Sequence, residues 1–100
     1  MRVRWTTGAL RDLREIGAFI RRDNPAAARR WVNLLQDRAE QAAGVPRAGR
    51  VVPEFEREEI REILFKGYRI VYFLGSNEIA IMVVFEGHRL FPPGRIAPTQ

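Results

Sequence analysis

The order of sequence elements predicts an α+β domain in which an antiparallel helical hairpin packs on a mainly antiparallel sheet. Three observations carry that prediction. Two successive segments place apolar residues at three- and four-residue steps, an Asn-Pro pair stands between them, and a later stretch turns to apolar residues at every second position. With a short strand ahead of the helices, the order becomes β-α-α-β-β-β.

Residues 2–6 (Arg2-Val3-Arg4-Trp5-Thr6) alternate polar and apolar, as a half-buried strand does. Thr6 or Thr7 then offers a hydroxyl to the first free amides of a helix. Over 8–22, Leu10, Leu13, Ile16, Gly17 and Ile20 form one stripe, and Arg11, Arg14, Glu15, Arg21 and Arg22 fall mostly elsewhere on the wheel. Asn24-Pro25 stops that helix and starts the next, because proline disfavours helical geometry in the residue before it yet fits a first helical turn. The second helix is predicted over 25–43, with Ala28, Trp31, Val32, Leu35, Ala39 and Ala42 as its core stripe, and Gly44 and Pro46 end it. So short a link folds the two helices back on one another.

Residues 44–59, with Gly44, Pro46, Gly49, Pro53 and the acidic run Glu54-Phe55-Glu56-Arg57-Glu58-Glu59, read as a connection with room for one helical turn. From Ile60 the period is two. Ile63 and Phe65 precede a Lys66-Gly67 turn in which glycine can take positive φ; Tyr68, Ile70, Tyr72 and Leu74 share one parity; Gly75-Ser76-Asn77 makes the next turn; and Ile79, Ile81, Val83 and Phe85 form the third run. Three antiparallel strands in a meander follow. Residues 91–100, opening with Phe91-Pro92-Pro93-Gly94, read as an irregular tail.

One hundred residues with 46% apolar content suffice for one compact core, so a single domain over 1–100 is expected. The absence of Cys removes disulfides and thiolate metal sites, and a single His removes the usual zinc ligand sets, so neither cofactor nor metal is expected. No stretch approaches the roughly 18 apolar residues of a membrane span, so a soluble, cytoplasmic protein is the expectation. The net charge of +5 favours polyanions or acidic protein segments as partners. It is unevenly placed: eleven of the sixteen arginines lie in the first fifty residues, against five acids there. A genome rich in arginine codons explains the preference for Arg over Lys as readily as a functional demand does.

On this frame several phrases accumulate: Ala9-x-x-Asp12-Leu13-x-x-Ile16, Asn24-Pro25-x-Ala27-Ala28, Gly49-Arg50-x-x-Pro53-Glu54, Ile60-Arg61-Glu62, Tyr68-Arg69-Ile70-Val71-Tyr72 and Gly87-His88-Arg89. In order and spacing they resemble the RelE/ParE toxin superfamily over about residues 3–90. The resemblance implies a toxin encoded beside an antitoxin that wraps it in a hetero-oligomer. It leaves two targets open, DNA gyrase for ParE-type members and ribosome-bound mRNA for RelE-type endonucleases.

Metal-free RNA cleavage needs a base for the 2′-hydroxyl, a cation for the crowded phosphate and an acid for the leaving oxygen. Glu54 as base, Arg69 with Arg61 as phosphate clamp and His88 as acid are the residues that similarity to ribosome-dependent nucleases assigns to those roles. Each has a plainer reading: Glu54 belongs to a solvated acidic run, Arg69 pairs with a neighbouring Glu, and His88 sits on the surface. If cleavage is the activity, Arg69→Ala is expected to abolish it and leave the fold intact.

Two departures favour the ParE-type reading. The only lysine is Lys66, in a turn, and no Tyr follows His88, whereas RelE-type members often carry several lysines and a late tyrosine. Trp5, Phe55 and Arg89 are the candidates for an antitoxin-binding surface. Arg21-Arg22 and Arg29-Arg30 flank the helix turn as a basic patch or as simply solvated charge. A third reading, a plain nucleic-acid-binding module, requires Tyr68 and Tyr72 to present an open aromatic sheet face.

Overall fold

The computed structural model describes residues 1–96 and has the elements β1 (Arg2–Trp5), α1 (Thr7–Arg21), α2 (Pro25–Gln41), a 3₁₀ turn (Ala42–Gly44), β2 (Arg50–Val51), β3 (Ile60–Phe65), β4 (Tyr68–Leu74) and β5 (Glu78–Glu86). The sheet order is β1-β5-β4-β3-β2, antiparallel throughout except where β1 runs parallel to β5. The predicted α+β class and element order are found, with β2 as an addition. That two-residue strand lies inside the segment read as a connection, too short to show an alternation of its own.

Local chemistry explains the boundaries. Thr6 is the cap of α1: its hydroxyl accepts from the Ala9 amide at 3.1 Å and donates to the Ile81 carbonyl at 2.9 Å, tying the helix start to β5. The Asn24 side chain accepts from the Ala27 amide at 3.0 Å with Pro25 in the first turn of α2. The α-helix stops at Gln41, two residues short of the predicted end, because its last turn tightens into the 3₁₀ form over Ala42–Gly44. The helices approach closely at Gly17, where a Cβ would stand 3.0 Å from Val32 Cγ2. The Lys66-Gly67 turn has positive φ at both residues, 49° and 87°, the mirror-type turn whose twist matches a two-residue hairpin.

The sheet is buried on both faces. On the helix side Ala9, Leu13, Leu35 and Ala39 meet Ile70, Tyr72, Ile79, Ile81 and Val84; on the other, Val52, Ile60, Val71, Ala80, Val83 and Phe85 are covered by Phe55, Phe91 and Ile96. The parity expected for β5 fails halfway along. Tyr72 pairs with Ile81 and Val71 with Val83, so Met82 is an extra residue, and past this bulge Val83 and Phe85 leave the face that Ile79 and Ile81 share.

One further expectation is corrected, and another is met with an addition. Trp31 is half-buried rather than a core residue, its ring tilted against Tyr68 at 5.9 Å. The predicted tail has no regular structure over 91–96, yet it is packed on the sheet; residues 97–100 lie outside the described residues. Among the described residues no helix is long and apolar enough to cross a membrane.

Candidate functional site

Two of the charged residues singled out in the sequence, Glu54 and Arg69, converge on the sheet face away from the helices. The tight turn at 66–67 sets the register Leu64↔Arg69 and Glu62↔Val71, so Arg69 and Glu62 lie diagonally across one face of the hairpin. The Arg69 Nε donates to Glu62 Oε1 at 2.6 Å, while its two Nη groups take both oxygens of Glu54 at 2.8 and 2.7 Å. Arg50, paired with Glu62 in the β2–β3 register, donates from Nε to Glu62 Oε2 at 2.6 Å. The result is a chain of alternating charge, Arg50–Glu62–Arg69–Glu54, whose inner members are buried: 0% of the Glu62 side chain and 9% of the Arg69 side chain are exposed.

Aromatic rings close the cluster. The Arg69 guanidinium carbon lies 5.1 Å from the centroid of Phe85 and 5.5 Å from that of Phe91. Phe91 is edge-on to both Phe85 and Phe55, each at 5.1 Å. The hydrogen bonds from Arg69 hold the Glu54 carboxyl below its ordinary range, with partial burial opposing them. In return, the bonds it donates to Glu54 push the Arg69 guanidinium further up.

Of the four candidate catalytic residues, the fold brings together Glu54 and Arg69 and keeps Arg61 and His88 apart from them. Arg61 is a staple of the preceding loop: it donates to the carbonyls of Glu58, Arg47 and Gly49 at 2.8, 3.1 and 3.0 Å and to the Glu58 carboxylate at 2.6 Å. His88 stands in the turn after β5 with 74% of its side chain exposed, and Nδ1 is 3.9 Å from Glu86. A base needs a lone pair that a proton can reach at neutral pH. Glu54 spends both oxygens on Arg69 and is less basic than a free glutamate.

The candidate partner-binding residues do not form one surface. Trp5 is half-buried on the helix side with its indole N–H buried and without a hydrogen-bond partner among the described residues, Phe55 is packed on Phe91 across the sheet, and Arg89 extends into solvent, 4.0 Å from Glu86. Tyr72 is buried on the helix side, its hydroxyl donating to the Pro46 carbonyl, and Tyr68 lies half-buried beside Trp31. The open aromatic platform required of a nucleic-acid module is therefore not built from these tyrosines.

A different surface has the form of a peptide site. Between α1 and α2 runs a groove of about 650 Å³, floored by Leu13, Gly17, Ala28 and Val32 and bordered by Arg14, Arg21 and Arg29. Those three arginines are exposed. Arg21-Arg22 and Arg29-Arg30 are the signal in the sequence for this rim, but the groove itself depends on how far the hairpin closes. Asp12, Arg50, Glu62 and Arg95 were not singled out as site residues. For Glu62 the signal was available, because counting back from the Lys66-Gly67 turn places it on the face of Arg69.

Comparison with known proteins agrees with this architecture. A family model described as the ParE toxin of the type II toxin-antitoxin system, parDE, matches residues 3–91. The chain is 36% identical over 93 residues to the protein named "Putative toxin Y4kP" of Sinorhizobium fredii (strain NBRC 101917 / NGR234), covering 91% of this chain and 93% of that one. Among solved structures it is similar to the "Chromosomal ParDE TA system from P. aeruginosa", with a TM-score of 0.72, 20% sequence identity and coverage of 86% of this chain and 95% of that chain. At that identity the structural likeness speaks for the fold.

Proposed function

The chain belongs to the ParE toxin family, and on that premise we propose that it is the cytoplasmic toxin of a toxin–antitoxin pair that inhibits DNA gyrase without cutting RNA. The observation that carries the non-nucleolytic reading is the mutual neutralisation of Glu54 and Arg69. A phosphate would have to displace a bidentate carboxylate from a guanidinium that is also fastened to buried Glu62. The only histidine stands outside that cluster. Base, clamp and acid are thus not assembled around one point where a reacting phosphate could sit.

The antitoxin is an acidic protein that lays the apolar face of a helix in the groove between α1 and α2. What supports this is the match of an apolar floor to a basic rim, the arrangement by which grooves take amphipathic helices. Arginine on the rim pairs with carboxylates, while the floor contributes burial.

Purified toxin in a gyrase supercoiling assay and in a ribosome-dependent mRNA cleavage assay tests the target. Supercoiling should be inhibited, mRNA should stay intact, and His88→Gln should keep full toxicity, since no proton transfer is asked of that ring. Ribosome-dependent cleavage that disappears in His88→Gln would overturn the reading in favour of an endoribonuclease.

A further inference from the structure

β1 covers β5 only from Glu78 to Ile81, because the chain leaves the sheet at Thr6 to begin α1. From Met82 onward the outer edge of β5 has no strand beside it among the described residues, and an uncovered edge is a template for pairing with another chain. Two side chains occupy that edge instead. The Val84 amide donates to Asp12 Oδ2 at 2.9 Å, and the carbonyl of Met82, the bulge residue, accepts from Arg95 Nη2 at 3.1 Å. Arg95 also grips both Asp12 oxygens, at 3.0 and 2.8 Å. Asp12 comes from α1 and Arg95 from the C-terminal segment, so one ion pair joins three parts of the chain.

The surroundings are shaped for this pair. A Cβ on Gly8 would stand 2.7 Å from Arg95 Nη2, so the first turn of α1 is bare where the guanidinium lies. Side-chain exposure is 11% for Asp12 and 26% for Arg95, well below that of a surface ion pair. The segment that delivers Arg95 is anchored at both ends: Phe91 packs on Phe55 and Phe85, Ile96 packs on the same core cluster, and Gly94 turns between them with a φ of 71°.

We propose that Asp12 and Arg95 form a latch that continues β1 along the edge of β5, straps residues 91–96 across the sheet, and denies that edge to a second copy of this chain. Asp12 supplies the acceptor and Arg95 the donors that a neighbouring strand would otherwise supply. When the latch is released, the edge from Met82 to Glu86 opens and the strap is held by its apolar contacts alone.

The test uses the purified chain, with nuclear magnetic resonance for amide exchange and backbone mobility and with sedimentation velocity for association. In the double variant Asp12→Ala/Arg95→Gln, the Val84 amide should exchange about tenfold faster or more, as expected for loss of one hydrogen bond, with the amides of β3 and β4 as protected as before. Its sedimentation coefficient should rise with concentration more steeply than that of the wild type. Val84 exchange within about twofold of wild type, a scale below the loss of one hydrogen bond, or an unchanged concentration dependence, overturns the proposal. Arg95→Gln alone leaves Asp12 on the Val84 amide and so keeps the test independent of the more disruptive variant. There the heteronuclear Overhauser effects of Gly94 and Ile96 should fall while Val84 stays protected, and a strap as rigid as in the wild type counts against the latch.

Discussion

A guanidinium presents its donors in a plane, and in Arg69 that plane meets two carboxylates from different parts of the chain, Glu62 on β3 and Glu54 on the loop before it. Removing Arg69 leaves Glu62 fully buried with Arg50 as its remaining partner. Arg69→Ala should therefore destabilise the fold by about 3 kcal/mol, the usual scale for breaking a buried pair, as read from urea denaturation. The sequence-based expectation that this variant leaves the fold intact is corrected by that geometry, and activity lost in Arg69→Ala does not by itself identify a catalytic role. Glu54 adds a pH signature. Its pKa is depressed in the folded state below the ordinary value of 4.5, so its pairing contributes stability above that value and loses it as pH falls through the depressed one. The stability difference between wild type and Glu54→Gln should be constant near neutrality and shrink toward zero well below pH 4.5. A difference that persists undiminished in strong acid would rule out this carboxylate as the source.

At the scale of elements, the loop between the helices and the meander is fixed by a close backbone approach and by side chains that hold its carbonyls, not by an apolar periodicity along the chain. Gly49 is the tightest point: a Cβ there would stand 2.9 Å from the Glu62 carbonyl and closer still to the Tyr72 hydroxyl. Around it Arg61 collects the carbonyls of Arg47, Gly49 and Glu58, and Tyr72 donates to that of Pro46. Gly49→Ala should cost about 1–3 kcal/mol, the range for forcing an extra carbon into a packed site. Thermal melts check this, with Gly44→Ala as the control, since among the described residues nothing beyond its chain neighbours lies within 4 Å of a Cβ at Gly44. Equal melting temperatures for the two variants would remove Gly49 from this role. The helices and the hairpin turn were legible because their signals are local: the Thr6 and Asn24 caps, the Asn24-Pro25 break and the Lys66-Gly67 turn each act within a few residues. The two-residue β2 and the bulge at Met82 were not, because both exist only by pairing with a neighbouring strand.

Across the whole molecule, charge and shape meet in the groove between the helices, and association with the acidic antitoxin proposed above should carry that mark. The association rate should fall as salt rises from low ionic strength to a few tenths molar, where screening shortens electrostatic reach to below about 8 Å. Stopped-flow mixing of toxin and antitoxin measures this directly, and a rate independent of salt would remove steering by the arginine rim. The sequence by itself determined the class of fold, the order of the helices and the meander, the excess of arginine in the first half and the family, because periodicity, capping and composition are read along the chain. Only the tertiary structure decided that Glu54 and Arg69 neutralise one another, that Arg61 serves its loop while His88 stands in solvent, and that Arg95 returns to Asp12. The physical reason is that a charged side chain spends its hydrogen bonds on whatever the fold brings within about 3 Å of it, and for Asp12 and Arg95 that neighbour lies 83 residues away in sequence.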